Sequence, residues 1–455
     1  MRQVELLILG AGPAGLAAVH EARGQGLEVL LLDENNAAGG QVHRGLGGFY
    51  RPTPKAPGAA QAREGLALIE AAGASGAELR FGATLWAIQE DGVVSWSEGG
   101  RAQQAQVRHM VLSPGAIERP LPIPGWTLPG VMGVGAAQIL MKTAGLLPSG
   151  EVWLAGQGPL LWLYAAQLLD KGVKPSGILD LSPPGIPWRA AVHLPMALRA
   201  PGYLLQGMAW IQQIRRARVP IIKACDVAAL GTDRLMGLRF DGREVPADLL
   251  LLHDGVVPNT QLSRAMPGCA HEWDAAQACL RPSLDQWGNT NLPGVMVAGD
   301  GGGIGGARAS ALAGRIAALE AARVLGRLTA EQRDAAAGPL LHERAAELAP
   351  RGLLDALFPP LPLNRVADAT LICRCEEVSA GRIRAAVALG AQGPNQLKAF
   401  LRAGMGACQG RVCGPAVHAL MAEARGVPPG SLEPLRTRFP TKPITVGELA
   451  GLAQP

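Results

Sequence analysis

Four of the seven cysteines fall between residues 373 and 413. Cys373 and Cys375 form a C-x-C pair in LICRCEEVSA, and Cys408 and Cys413 form a C-x4-C pair in RAGMGACQGRVCG. Four thiolates in two pairs close either a tetrahedral zinc site or an iron–sulfur cluster. Zinc sites mostly use C-x2-4-C pairs and rarely C-x-C, whereas both spacings suit a [2Fe-2S] cluster. The spacing favours iron and sulfur and leaves zinc open. Cys225, Cys269 and Cys279 are isolated, and the eight histidines show no H-x3-H or Cys-His pairing, so no further ligand set is expected.

A second constellation stands at the N-terminus, in VELLILGAGPAGLAAVHEARGQGLEVLLLDE. An apolar strand, a glycine turn, a helix with apolar i, i+3, i+4 spacing and a second apolar strand make a βαβ unit. Gly10 allows the tight turn, Gly12 lets backbone approach a pyrophosphate, and Gly15 lets helix pack on strand; Pro13 and Ala14 open the helix, whose N-terminal dipole faces the phosphates. Asp33, followed by Glu34, stands where an acid accepts a ribose 2′-hydroxyl hydrogen bond. These residues predict a dinucleotide site. A second candidate unit, EVWLAGQGPLLWLYAAQLLDKG, has Gly156 and Gly158 but Leu161 in place of the third glycine, with Asp180 as its candidate ribose acid. It predicts a second dinucleotide fold whose occupancy, by NAD(P)H or ATP, is left open. No His or Glu sits in a proton-abstraction motif, so no catalytic residue is assigned.

These groups need elements to hold them, and 455 residues with 48% hydrophobic content can bury several cores. Sixty glycines and thirty-six prolines, against three tyrosines and six phenylalanines, favour α/β architecture with many tight βα turns. A formal charge of +5 without a basic block argues against nucleic acid. No apolar run is long enough to span a membrane. Met1 leads almost at once into the strand-like Val4 to Leu9, so no signal peptide is expected. Cysteines clustered in a chain with that cytoplasmic expectation hold metal or do redox chemistry; peripheral contact with the inner face of the membrane stays open. Residues 326 to 365 read as a polar helical and proline-rich linker. Within 186 to 218, Trp188, Met196, Tyr203, Met208 and Trp210 either pack in a core or face a partner.

Several stretches resemble two-dinucleotide-fold flavoproteins of the glutathione-reductase type. AAGGQVHR matches the segment beside the flavin, which implies Gly40, Gln41 and Arg44 as FAD contacts. It holds no cysteine, so disulfide reduction is set aside. VLSPGAIERPLPIPG resembles the segment leaving the FAD domain (Ser113, Pro114, Gly115). LPGVMVAGDGGGIGGARASALAGR resembles the closing flavin motif, with Gly299, Asp300 on the ribityl chain, and Gly306 and Ala307 at a helix start aimed at the flavin. Residues 373 to 414 are similar to the bacterioferritin-associated-ferredoxin-like [2Fe-2S] domain, which implies Cys373, Cys375, Cys408 and Cys413 as ligands; Gly404, Gly406 and Gly410 would free N–H groups for the cluster sulfurs, while Arg402 and Arg411 either offset cluster charge or lie in solvent.

The whole order resembles the large flavoprotein subunit of heteromeric amine dehydrogenases, the D-hydroxyproline dehydrogenase, multi-subunit proline dehydrogenase, opine oxidase and hydrogen cyanide synthase family. The resemblance implies an FAD domain over 1–120 and 265–325, a second nucleotide-like domain over 121–264, the linker, a helical [2Fe-2S] domain over 366–425 and a tail over 426–455. It further implies an electron-transfer subunit served by a catalytic flavoprotein partner similar to D-amino-acid or glycine oxidases, with a small ferredoxin-like subunit beside them. The alternative is a self-sufficient NAD(P)H:acceptor oxidoreductase, against which Leu161 argues.

Overall fold

The computed structural model describes residues 1–46, 48, 50–184, 188–363 and 366–452; Ile186 and Pro187 of the aromatic-rich stretch, the end of the linker and the last three residues lie outside them. The first unit runs β1 (Arg2–Leu9), α1 (Pro13–Gly24), β2 (Val29–Asp33), α2 (Ala59–Ala74), β3 (Glu78–Phe81), β4 (Ala83–Ile88), β5 (Val93–Glu98), β6 (Arg101–Leu112) and the short β7 (Ala116–Glu118). Its sheet has the order β3-β2-β1-β6-β5-β4. β1 pairs in parallel with β2 and β6, and β4, β5 and β6 form an antiparallel meander. Leu6, Leu7 and Ile8 are wholly buried, as a central parallel strand covered on both faces requires.

The chain then builds a second unit from β8 (Val131–Gly133), α3 (Val134–Ala144), β9 (Val152–Gln157), α4 (Pro159–Asp170), β10 (Gly177–Asp180), the short α5 (Trp188–Ala191) and α6 (Leu194–Ala197), and α7 (Pro201–Arg216). β11 (Ile221–Lys223), β12 (Val227–Leu230), β13 (Gly237–Phe240), β14 (Arg243–Pro246) and β15 (Leu249–Asp254) come next. Its parallel sheet has the order β11-β10-β9-β15-β8. Trp188, Met196 and Met208 are exposed on α5 to α7, whereas Trp210 packs into the core of this unit.

β16 (Val256–Pro258) pairs with β7, and these two strands form the hinge-like pair through which the chain leaves and re-enters the first unit. After α8 (Gln261–Ala265), β17 (His271–Asp274) and β18 (Cys279–Pro282), the strand β19 (Val295–Val297) joins β6 in parallel. The helix α9 (Ala307–Val324) then returns across α1. Small residues permit that contact: a Cβ on Gly314 would lie 1.9 Å from the Ala14 carbonyl oxygen. The stretch read as a linker carries two helices, α10 (Ala330–Leu348) and α11 (Arg351–Leu357). Ala337 and Leu340 of α10 bury against Leu312, Ile316 and Leu319 of α9, a narrow apolar stripe on an otherwise polar helix.

The last unit contains β20 (Leu371–Cys373), β21 (Val378–Ser379), α12 (Ala380–Ala388), α13 (Pro394–Leu401) and α14 (Gly414–Arg425) around its own core, in which Ile383, Leu397 and Leu420 are fully buried. The tail crosses back over the first unit and ends in α15 (Val446–Gly451). Among the described residues no helix is long and apolar enough to cross a membrane.

Candidate functional site

A cavity of about 620 Å³ opens along the C-terminal edge of the first sheet. The turn between β1 and α1 forms its floor. Gly10 has φ +99, and a Cβ there would lie 2.4 Å from the Ser113 carbonyl oxygen. Gly15 sits behind the turn, where a Cβ would lie 1.8 Å from the Gly10 carbonyl oxygen. A Cβ on Gly12 would meet only Gly40 Cα, at 3.8 Å, so this backbone faces open cavity at the N-terminus of α1. Pro13 at the first helical position presets that start, and Pro13 and Ala14 also line the wall. This is the cradle an anionic pyrophosphate needs, so the residues present fit a dinucleotide.

Asp33 and Glu34 line the same cavity. Asp33 Oδ2 accepts the Ala11 N–H at 2.6 Å, and Oδ1 accepts both the Asn35 backbone and side-chain N–H groups at 2.7 Å. The acid thus braces the glycine turn, while Glu34 pairs with Lys442 from the tail. Gly40, Gln41 and Arg44 form one side of the cavity, and Ser113, Pro114 and Gly115 form another. Arg44 Nε donates to the Gly40 carbonyl oxygen at 3.2 Å, and Ser113 Oγ to that of Leu9 at 2.8 Å.

Asp300 and Ala307 complete the wall. Asp300 Oδ1 accepts the N–H groups of Gly305 and Gly306 at 2.9 Å and the Ser310 hydroxyl at 3.1 Å, which fixes the start of α9. Gly306 is the N-cap of that helix. Gly299 lies beneath, where a Cβ would be 2.8 Å from Ala14 Cβ.

The motifs do not account for the other residues around this cavity, notably His43, Tyr50, Gln138, Lys142, Gln167, Gln261, Thr441 and Lys442. Lys142 is 5% exposed; its Nζ donates to the Val42 carbonyl oxygen at 2.9 Å and to Gln138 Oε1 at 3.1 Å, with no carboxylate bonded to it among the described residues. Burial, reinforced by the Arg44 charge, brings its ammonium down to about 8. His43 is buried beside it, and burial, with the Lys142 charge second, brings that imidazole down to about 4. A signal for Lys142 exists in the sequence: Gln138 and Lys142 stand one helical turn apart in VGAAQILMKTA, a polar pair within an apolar helix.

In the C-terminal unit Cys373 ends β20, Cys413 stands at the N-cap of α14, and Cys375 and Cys408 lie in the two loops between. The proximity of Cys413 brings the thiols of Cys373 and Cys408 down to about 6 and about 4 and pushes Cys413 itself up, and Cys375 lies beside Cys408. The two cysteine loops therefore bring four thiols together, the donor set that a [2Fe-2S] cluster takes. Backbone N–H groups of Gly404, Glu376 and Cys375 point at Cys373, and those of Val412 and Gly410 at Cys408, the second sphere that cluster sulfurs take. A Cβ on Gly406 would lie 2.1 Å from Cys375 Cβ, so the loops close only with glycine there. Arg402 pairs with Glu376, and Arg411 reaches Gln261.

The second unit keeps the βαβ shape but fills its crevice. Leu161 is fully buried, and Asp180 is engaged by Ser182 and by Lys223 Nζ at 2.9 Å. At the strand ends Gln157 donates to Asp254 at 2.9 Å and to the Pro359 carbonyl oxygen, and the Leu361 N–H donates to Asp254 at 3.2 Å. Residues 359 to 361 thus cross the edge where a nucleotide would lie. Of the remaining cysteines, Cys225 is exposed, Cys269 half-buried and Cys279 buried.

Two family models match this chain. Residues 4–145 match the pyridine nucleotide-disulphide oxidoreductase family, and residues 371–423 match the BFD-like [2Fe-2S] binding domain. The opine oxidase A-subunit of Agrobacterium tumefaciens (strain Ach5) is 41% identical over 98% of this chain and 92% of its own length. Hydrogen cyanide synthase subunit HcnB of Pseudomonas aeruginosa is 31% identical over 96% of both chains. The crystal structure of L-proline dehydrogenase from P. horikoshii superposes with a TM-score of 0.71 at 19% identity, over 98% of this chain and 79% of that one, and shows the same fold. FAD and a [2Fe-2S] cluster are the cofactors these matches imply. The chain belongs to the family of large FAD and [2Fe-2S] flavoprotein subunits that includes HcnB and the opine oxidase A-subunit.

Proposed function

We propose that this chain is the electron-transferring subunit of a heteromeric amino- or imino-acid dehydrogenase of the opine, hydroxyproline, proline or glycine type. A partner flavoprotein, similar to D-amino-acid and glycine oxidases, oxidises the substrate C–N bond, and a small ferredoxin-like subunit completes the complex at a cytoplasmic site. The observation that carries this reading is a dinucleotide cavity in the first unit whose wall includes Gln261, the residue that Arg411 of the second cysteine loop touches.

FAD supplies acceptance of an electron pair, and the cluster supplies release of electrons one at a time. Gly10, Gly12, Pro13, Ala14 and Gly15 form the turn and helix start that meet the pyrophosphate. Asp33 holds that turn in shape and Glu34 stands beside it at the ribose end. Gly40, Gln41, Arg44, Ser113, Pro114 and Gly115 flank the flavin, and Gly299 lets α9 approach closely. Asp300 fixes Gly306 and Ala307 so that the helix N-terminus meets negative charge at the flavin. Lys142 and Arg44 add two cations to the same cavity. Cys373, Cys375, Cys408 and Cys413 hold the cluster.

The test is an anaerobic titration of the purified chain, alone and with its co-expressed partners, with NADH, cis-4-hydroxy-D-proline and an opine, following flavin bleaching and cluster absorbance. Reduction by an amino or imino acid only with partners present is the expected result. Stoichiometric reduction of the isolated chain by NADH overturns the reading in favour of a self-sufficient NAD(P)H oxidoreductase.

A further inference from the structure

Between the flavin cavity and the second cysteine loop lies a smaller cavity of about 90 Å³. Gln261, at the start of α8 and 8% exposed, lines both. Its side-chain amide is used on every side. Oε1 accepts from Arg411 Nη1 at 3.2 Å, while Nε2 donates to Gln409 Oε1 at 3.3 Å and to the Thr441 carbonyl oxygen at 3.2 Å. A guanidinium only donates and a carbonyl only accepts, so these partners fix which way the amide points. Gln409 and Arg411 stand between Cys408 and Cys413, and Gln409 Nε2 also reaches the Pro440 carbonyl oxygen at 3.1 Å. Thr441 is held in turn by its N–H on the Trp86 carbonyl oxygen at 2.9 Å, in the meander of the first unit.

We infer that Gln261 is the positioning residue of an electron path within this chain: it clamps the loop between Cys408 and Cys413 against the wall of the flavin cavity. The inference rests on the cofactor assignment made above. Electron transfer between two centres falls steeply as the gap between them widens, and the small cavity is a place where that gap would open if the loop moved. A bonded and hydrogen-bonded route runs instead from the cavity through the Gln261 amide to Gln409 and its neighbour Cys408. Hydrogen bonds of this kind each make a modest contribution to holding the loop, larger where the donor is charged. The cavity would hold a flavin that gives up two electrons and the four cysteines a cluster that takes one at a time, so complete reoxidation would need two transfers past Gln261, an external one-electron acceptor such as ferricenium to take both electrons, and release of the flavin protons to water.

The experiment uses the full chain without partners. Gln261→Leu keeps the outline of the side chain and removes its polar atoms; Gln261→Glu keeps the acceptor for Arg411. Absorbance and the electron paramagnetic resonance signal of the reduced cluster establish loading. A laser flash on a deazaflavin with a sacrificial amine then delivers electrons anaerobically, and the phase in which flavin reoxidation and cluster bleaching proceed together gives the transfer rate. Expected is unchanged loading with transfer slowed on the order of tenfold in Gln261→Leu, and a rate in Gln261→Glu between that and the parent. A parent-like rate in Gln261→Leu with both cofactors retained overturns the inference. Should that variant lose a cofactor, Gln409→Ala and Arg411→Ala approach the clamp from the cluster side; slowing in both supports it, and parent-like rates in both overturn it. A parent chain lacking flavin or cluster fails at the loading step, and what falls there is the cofactor assignment, before any rate is read.

Discussion

Gly15 and Leu161 occupy the same place in two turns built alike, and from that position outward the two units diverge. In the first, a Cβ would lie 1.8 Å from the Gly10 carbonyl oxygen; its absence lets α1 pack tightly on the turn, whose backbone faces an open cavity. In the second, a fully buried leucine fills the space, the ribose-type acid is taken by Lys223, and residues 359 to 361 bridge Gln157 and Asp254. One βαβ frame faces an open cavity and the other is crossed at its strand ends. Strand, turn and helix set the frame, while single side chains and the segment crossing the strand ends set access.

The comparison breaks most sharply if its two residues are exchanged. Gly15→Leu forces a side chain into the Gly10 carbonyl and pushes α1 off the sheet. Purified protein is expected to hold essentially no FAD, read from the flavin absorbance released on denaturation; a variant with full flavin content shows that the close approach is not what opens the first crevice. Leu161→Gly leaves a void in the second core and a glycine inside a helix, costing about 4 kcal/mol in urea unfolding. NADH binding, followed by quenching of protein fluorescence, is expected to stay absent, because Asp180 and the 359 to 361 crossing are untouched. Gain of tight NADH binding in this variant makes Leu161 the only barrier.

How much of this was legible in the sequence divides along the same line. The glycine turn, its acid and the cysteine pairs announce themselves because their chemistry is local: each needs residue types at fixed short spacings. The closure of the second unit was half legible. Leu161 signals it, whereas the contribution of Pro359 and Leu361 arises from a segment some two hundred residues further on, with no motif to mark it. Lys142, His43, Gln261 and Thr441 escaped for that reason too, since each becomes part of a cofactor wall only when separate segments fold together. The polar helical stretch 326 to 365 read as a linker because the burial of its first helix is confined to Ala337 and Leu340 on one stripe.

A pH experiment sharpens the contrast between an open and a closed crevice. Lys142 sits in the wall of the open one, its ammonium brought from 10.5 to about 8 by burial. Between those two values the unfolded chain binds the proton and the folded chain does not, so stability rises with pH across that window and the penalty is fully present below about 8. Lys142→Met removes the titrating group, and urea unfolding of the variant is expected to lose this slope. The gain over the parent is about 3 kcal/mol at pH 7 and fades toward pH 10.5. Parallel pH profiles for parent and variant show instead that an anion in the cavity, such as the cofactor itself, already compensates the charge.

The smallest effect concerns what closes each crevice from outside. The second is crossed by a segment that bonds to buried groups, whereas the first is crossed by the tail, whose Lys442 reaches Glu34 through an ion pair with both side chains partly in solvent. Exposed pairs contribute about 1 kcal/mol at most and are screened by salt. Lys442→Ala is therefore expected to speed FAD release, followed by the rise in free-flavin fluorescence, about two- to fivefold at low ionic strength, with the difference vanishing in high salt. The same substitution leaves the Thr441 carbonyl on Gln261, so transfer from flavin to cluster stays at the parent rate while the cofactor is bound. A salt-independent loss of flavin would instead mean that the tail holds FAD by packing, through Phe439 against Leu262 and the first core, and that the first crevice is closed as firmly as the second.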